Sequence, residues 1–210
     1  MPVIVAYGDS NTWGYDPASG ARFPPHVRWT GVMAQALGDD YRVIEEGLNG
    51  RTSVYEDPIE PGRNGATYLP PCLLSHAPLD LVIVALGCND LKKRFDVPPT
   101  DIAAGIERLV GLALAAPVGP NGGPPRVLLV APPPLAALTA FAEMFEGGTE
   151  KSRVLAARFC EVAERLKIGF VDAGPLIACS PLDGIHFEAG SHAILGAATA
   201  EAARMVLAQR

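Results

Sequence analysis

The sequence alternates short, almost wholly apolar runs with longer stretches of helical periodicity. The clearest run, residues 80–86 (DLVIVAL), is apolar on both faces, which is typical of a strand covered by helices on each side. Similar but weaker runs cover residues 3–7, 42–45, 126–131 and 169–171. Helices are predicted over residues 29–37, 101–115, 150–167 and 191–209. This alternation predicts an α/β fold, with a parallel sheet between two layers of helices.

Composition excludes several classes of protein. With 49% hydrophobic residues among 210, the chain is not a disordered one, and a net charge of -6 without a basic cluster argues against a nucleic-acid partner. No repeat or linker is visible, which predicts one domain over residues 1–210. No apolar run reaches the about 20 residues of a membrane span, and no signal peptide precedes the first strand. We therefore expect no membrane partner and a cytoplasmic location.

The cysteines and histidines are scattered along the chain: Cys72, Cys88, Cys160, Cys179, His26, His76, His186 and His192. Neither a C-x-x-C pair nor an H-E-x-x-H motif is present, so the sequence predicts free thiols, no metal and no other cofactor.

Two segments interrupt the alternation of strands and helices. Residues 51–70 are rich in Pro, Gly, Asp and Asn, and residues 132–148 begin with three consecutive prolines. Both are predicted to be loops, and loops of this length in a compact domain usually carry function.

Chemically useful side chains follow the predicted strands. Ser10 comes directly after the first strand, and Asp183 and His186 follow the fifth. Because ligands bind at the carboxyl ends of parallel strands, these residues are expected to converge as nucleophile, orienting acid and general base. Taken singly, each motif has another interpretation: Ser10 as a helix N-cap, Asp183 as a helix cap and His186 as a surface histidine.

An oxyanion hole is predicted beside Ser10. Its donors are the backbone N–H groups of Ser10 and Gly50 and the side-chain amide of Asn89, although Asn89-Asp90 is also a common β-turn pair. The candidate substrate-binding residues are Asn11, Trp13, Cys88 and Phe187. Trp13 could equally be a packing residue, and Cys88 is interpreted as a small buried hydrophobic residue rather than a second nucleophile.

Four blocks of the sequence resemble those that name the SGNH (GDSL) hydrolase family. They are Gly8-Asp9-Ser10, Gly50, Gly87-x-Asn89-Asp90 and Asp183-x-x-His186. The chain is also similar to a bacterial arylesterase/acyltransferase subgroup at residues 27–31, 45–48, 64–70, 132–135, 145–148 and 183–187. It departs from the usual pattern at Asn11, where leucine is common, at Cys88, where threonine is common, and at Gly50, where the subgroup has alanine.

The resemblance implies a flavodoxin-like three-layer α/β/α sandwich with a five-stranded parallel sheet in the order 2-1-3-4-5. It also implies a metal-free serine esterase that acts on small aryl and alkyl esters of the acetyl type through an acyl-serine intermediate. Acyl transfer to alcohols and a homo-oligomer are further implications.

Two alternatives stay open at this stage. A metal-dependent phosphoesterase could use Gly8-Asp9 and Gly87-x-Asn89-Asp90, provided that several histidines and carboxylates converge there. A non-enzymatic flavin or nucleotide binder could hold a phosphate on the loop Ser10-Asn11-Thr12, which leaves Asp183 and His186 without a role.

Overall fold

The computed structural model describes residues 1–208 and is built on one five-stranded sheet. Its strands are β1 (Val3–Gly8), β2 (Arg42–Gly47), β3 (Leu81–Ala85), β4 (Arg126–Ala131) and β5 (Gly169–Asp172). All neighbouring strands run parallel, in the order β2-β1-β3-β4-β5. The predicted α/β fold and strand order are confirmed.

Helices cover both faces of this sheet. They are α1 (Ser10–Trp13), α2 (Trp29–Leu37), α3 (Gly65–His76), α4 (Pro99–Ala115), α5 (Gly148–Ser152), α6 (Leu155–Leu166) and α7 (Ala189–Ala208). The alternation of side chains along β3 shows the layering, because Val82 and Val84 belong to one buried cluster and Leu81 and Ile83 to the other. The first cluster packs against α3, α4 and α6, and the second against α2 and α7.

Two sequence predictions need correction. Residues 150–167 form two helices, α5 and α6, rather than one. Residues 51–70 are not all loop, because α3 begins at Gly65 and contains Pro70 and Pro71. The helix forms despite its prolines because Leu69, Cys72 and Leu73 are buried against the sheet.

The last helix, α7, fills most of the C-terminal segment. It begins at Ala189, within two residues of the predicted start, and the predicted end at residue 209 lies outside the described residues. Within residues 1–208, no helix combines the length and the apolar character needed to cross a bilayer. The single-domain organisation stays a prediction.

Candidate active site

Ser10 stands at the turn between β1 and α1. The side chain of Asp9, not that of Ser10, caps α1, because Asp9 Oδ1 accepts a hydrogen bond of 3.0 Å from the Asn11 N–H. The turn is tight: a Cβ atom on Gly8 would lie 2.0 Å from Thr12 Oγ1. Because Gly8 has no side chain, the end of β1 can lie close to α1. Because Asp9 caps the helix, the Ser10 hydroxyl is not used as a cap.

The Ser10 hydroxyl, the His186 imidazole and the Asp183 carboxylate form a continuous hydrogen-bonded chain. Ser10 Oγ lies 2.9 Å from His186 Nε2, and His186 Nδ1 lies 2.6 Å from Asp183 Oδ2. All three residues are buried. The structure thus brings together, at the carboxyl end of the sheet, three residues separated by up to 176 positions in the sequence.

The other oxygen of Asp183 organises the turn that carries His186. Asp183 Oδ1 accepts hydrogen bonds from the Ile185 N–H at 2.8 Å and the His186 N–H at 2.9 Å. Desolvation opposes ionisation of Asp183, but hydrogen bonds from His186 and Ile185 outweigh it and lower the pKa of the carboxyl. An ionised Asp183 can only accept, so the proton resides on Nδ1 of His186 and Nε2 faces Ser10 as an acceptor.

Asn11 holds the His186 loop from both sides. Its Nδ2 donates to the Ile185 carbonyl at 3.3 Å, and its Oδ1 accepts from the Phe187 N–H at 3.1 Å. Both polar atoms of the amide are thereby engaged with backbone. Asn11 does not line the cavity described below, and it contacts the backbone on either side of His186 instead.

The three residues predicted to form the oxyanion hole carry N–H groups that are not fully used. Asn89 Nδ2 donates one hydrogen to the Arg51 carbonyl at 3.1 Å, which leaves its second hydrogen available. The backbone N–H groups of Ser10 and Gly50 have no hydrogen-bond partner among residues 1–208. Gly50 has a φ of 78°, a conformation that favours glycine. Ser10, Gly50 and Asn89 all line the same cavity.

This cavity has a volume of about 280 Å³ and two kinds of wall. Its apolar wall contains Phe141, Met144 and Phe145 from the predicted loop 132–148, together with Tyr15 and Ile185; its polar wall contains Asn49, Glu60 and Lys92. The Tyr15 ring lies against the His186 ring, with centroids 4.1 Å apart. We refer to this cavity, which Ser10 and His186 line, as the catalytic cavity.

Three other candidate substrate-binding residues do not line the catalytic cavity. Trp13 lies under the guanidinium of Arg22, 5.1 Å from its ring centroid. Cys88 is 4% exposed, and burial raises the pKa of its thiol well above the ordinary value, so it packs as a hydrophobic residue. Phe187 is buried against His192, with ring centroids 5.7 Å apart.

The segment 51–64 is fixed to residues 90–92, which follow β3, by hydrogen bonds and ion pairs. The Asp90 carboxylate accepts hydrogen bonds from the Ser53 N–H, at 3.1 Å to each oxygen, and from the Ser53 hydroxyl. Lys92 Nζ lies 2.9 Å from Glu60 and 3.3 Å from Asp57. These contacts hold Glu60 and Lys92 at the cavity, a role that nothing in the local sequence signals.

Comparison with known proteins gives the family. The family model of GDSL-like lipases/acylhydrolases matches residues 6–194. The chain therefore belongs to the GDSL-like lipase/acylhydrolase family, which confirms the sequence prediction of an ester hydrolase with this fold. No curated protein matches the sequence with significance.

Solved structures agree with this assignment. The native aryl esterase of M. smegmatis is 47% identical, with a TM-score of 0.93 and coverage of 98% of this chain and 100% of that one. Est24, a carbohydrate acetylesterase from Sinorhizobium meliloti, is 44% identical, with a TM-score of 0.94 and coverage of 98% and 99%. A second carbohydrate acetylesterase family member from the same organism is 41% identical, with a TM-score of 0.94 over the full length of both chains.

Proposed function

We propose that this chain is a serine esterase in which Ser10 is the nucleophile, His186 the general base and Asp183 the residue that orients the base. The observation that carries the proposal is the hydrogen-bonded chain from Ser10 Oγ to His186 Nε2 and from His186 Nδ1 to Asp183, at 2.9 and 2.6 Å. A serine hydroxyl becomes a strong nucleophile only when an adjacent base removes its proton, and this geometry supplies that base.

The first half of the reaction forms an ester on Ser10. His186 Nε2 takes the hydroxyl proton as Ser10 Oγ attacks the carbonyl carbon, and Asp183 stabilises the resulting imidazolium. Negative charge develops on the carbonyl oxygen, where the N–H groups of Ser10 and Gly50 and the Asn89 amide donate hydrogen bonds. His186 then gives its proton to the leaving alcohol, and the acyl group stays on Ser10.

The second half repeats these steps with water. His186 removes a proton from the water, the hydroxide adds to the acyl carbon, and the same three donors stabilise the oxyanion. Ser10 regains its proton when the acid leaves. A cavity of about 280 Å³ fits a short acyl chain with a small alcohol, so we propose aryl and alkyl esters of the acetyl type as substrates. The aryl esterase and acetylesterase relatives support this choice.

The two alternatives have less support. A two-metal phosphoesterase needs several histidines and carboxylates around one point, whereas His186 is the only histidine among the described residues lining the catalytic cavity, and Asp183 already engages it. A phosphate-binding loop at residues 10–12 needs polar groups that face the ligand, whereas both polar atoms of the Asn11 amide are engaged with the backbone at Ile185 and Phe187.

A fluorophosphonate probe followed by peptide mass spectrometry tests the proposal directly. The label is expected on Ser10 and absent from Ser10→Ala, whose rate of p-nitrophenyl acetate hydrolysis should fall about 10⁴-fold or more. Ser19→Ala, at an exposed serine, is the matched control and should keep both label and activity. Label on any other serine, or near-normal activity of a folded Ser10→Ala protein, would overturn the assignment.

We also propose that the acyl-enzyme transfers its acyl group to alcohols. Water is present at about 55 M, but a well-oriented bound alcohol can reach effective molarities of about 10⁵ M or more. Tyr15, Phe141 and Phe145 supply an apolar wall that favours an aromatic alcohol over water.

Vinyl acetate and benzyl alcohol in aqueous buffer give the test of transfer. Gas chromatography over the first minutes should detect benzyl acetate before hydrolysis overtakes it, and Ser10→Ala should give none. If acetic acid alone forms from the earliest time point, the protein is a hydrolase without an acceptor site.

A further inference from the structure

A second cluster of reactive side chains lies where α3 packs against β2. Cys72 and His76 are four residues apart on α3, which places them on one face of the helix, and Glu46 faces them from β2. His76 Nε2 lies 2.8 Å from Glu46 Oε1. One ligand atom from each of the three residues lies within 4.8 Å of the other two.

We propose that Glu46, Cys72 and His76 form a zinc site. A thiolate, an imidazole and a carboxylate are ligands that zinc accepts, and the thiolate disfavours magnesium and calcium. Zinc binds sulfur at about 2.3 Å and nitrogen or oxygen at about 2.0–2.2 Å, so tetrahedral ligand atoms lie about 3.3–3.7 Å apart. The side chains of this cluster reach that spacing by shifts of about 1 Å, which rotamer adjustment can supply.

Solvent reaches the cluster from the side of Glu46 and His76. Glu46 borders a cavity of about 620 Å³ whose other lining residues include Arg51, Tyr68 and Pro71. Cys72 is 1% exposed, whereas the side chains of His76 and Glu46 are 26% and 18% exposed. A metal ion can therefore enter from the side of His76 and Glu46 and keep a water molecule as its fourth ligand.

The nearby cation Arg51 does not compete for the carboxylate. Its guanidinium donates to the backbone carbonyls of Gly8 and Glu46 and lies over the Tyr7 ring, 4.1 Å from the centroid. It forms no ion pair with the Glu46 carboxylate within the described part of the chain. The Glu46 carboxylate is instead engaged by His76 at 2.8 Å and by the Tyr68 hydroxyl at 3.4 Å. Burial raises the pKa of the Cys72 thiol to about 12, so a metal that binds there displaces the thiol proton to the solvent, and the thiolate and the carboxylate then balance its charge.

This site is separate from the catalytic cavity. Leu48 and Arg51 line the larger cavity, whereas Asn49 and Gly50 line the catalytic one, so the turn over residues 48–51 divides them. The proposed zinc therefore takes no part in the Ser10 reaction. The Cys-x3-His pair escapes sequence analysis because no helix was predicted over residues 65–76, so the helical face that the pair shares could not be recognised.

Metal titration of the full-length protein tests the proposal. After dialysis against a chelator, the wild type should bind one equivalent of Zn²⁺ by calorimetry. Co²⁺ should give the absorption of a thiolate-to-cobalt charge transfer. Cys72→Ser should lose that absorption, and both Cys72→Ser and His76→Gln should bind Zn²⁺ about tenfold more weakly or worse. Cys160→Ser and His26→Gln are the matched controls and should behave as wild type.

The outcomes are decisive because binding and folding are read separately. Circular dichroism and thermal melting show whether each variant is folded, and Glu46→Gln offers a third ligand change of nearly unchanged size. Ser10→Ala should bind zinc like the wild type even though it is inactive. Absence of stoichiometric binding by the wild type, or a charge-transfer band that persists in folded Cys72→Ser, would show that the three residues form only a hydrogen-bonded cluster.

Discussion

Asn11 connects helix α1, which begins at Ser10, to the loop that carries His186. Through its two hydrogen bonds it fixes the backbone at Ile185 and Phe187, the residues on either side of His186. The distance from His186 Nε2 to Ser10 Oγ therefore depends on a residue that does not line the catalytic cavity. A leucine at this position could make neither bond.

Asn11→Leu is expected to lower kcat by up to about 10²-fold while KM changes little, because displacement of the base by about 1 Å suffices for such a loss. Asn11→Asp keeps the acceptor for the Phe187 N–H but loses the donor to the Ile185 carbonyl, so its kcat should lie between those of the wild type and of Asn11→Leu. Steady-state kinetics on p-nitrophenyl acetate measure both. A Leu variant with wild-type kcat would show that the loop is held without Asn11.

Asn89→Ala tests the oxyanion hole. Loss of one donor typically lowers kcat by about 10²–10³-fold, and KM should be nearly constant because the donor acts on the transition state. Asn89→Asp should be at least as damaging, since a carboxylate would face the developing negative charge. A change confined to KM would assign Asn89 to substrate binding or to holding the Arg51 carbonyl.

At the scale of elements, the strands were predictable and helix α3 was not. Strands buried on both faces leave continuous apolar runs, and residues 80–86 and 126–131 contain β3 and β4. Helix α3 carries Gly65, Pro70 and Pro71, which local propensity assigns to loops. Its stability comes from the buried Leu69 and Leu73 and from the cap by Asn64, and contacts between distant segments cannot be read from a local pattern.

The same reasoning separates the predictable part of the active site from the rest. Ser10, Asn89 and His186 follow strands, so the topology alone places them at one edge. The apolar cavity wall comes from Phe141, Met144 and Phe145, in a long segment without periodicity. Which of its side chains point inward depends on how the whole segment folds back on the sheet, and the sequence holds no rule for that.

At the scale of the whole molecule, His192 links the beginning of α2 to α7. Its Nδ1 accepts a hydrogen bond of 3.2 Å from the Trp29 N–H, so the ring proton resides on Nε2, which has no hydrogen-bond partner among residues 1–208. The ring is fully buried between Phe23 and Phe187. Burial, with smaller contributions from the charges of His186 and Arg28, lowers the pKa of His192 to about 4. Homo-oligomerisation and a cytoplasmic location, also properties of the whole molecule, stay predictions.

This burial predicts a loss of stability in acid. The pKa of an unfolded histidine is about 6.5, so between pH 6.5 and 4 the unfolded chain binds a proton at His192 that the folded protein does not. The free energy of unfolding therefore falls as the pH falls through this window, and a separation of about 2.5 corresponds to about 3 kcal/mol. In His192→Asn, the new carbonyl oxygen can still accept a hydrogen bond from the Trp29 N–H, but the side chain does not titrate. Urea unfolding of both proteins at pH 6.5, 5 and 4 measures the free energy of unfolding, which should decline less steeply for His192→Asn. The difference between the two proteins isolates His192 because the other groups titrate alike in both. Parallel declines would mean that the pKa of His192 is the same in the folded and the unfolded protein.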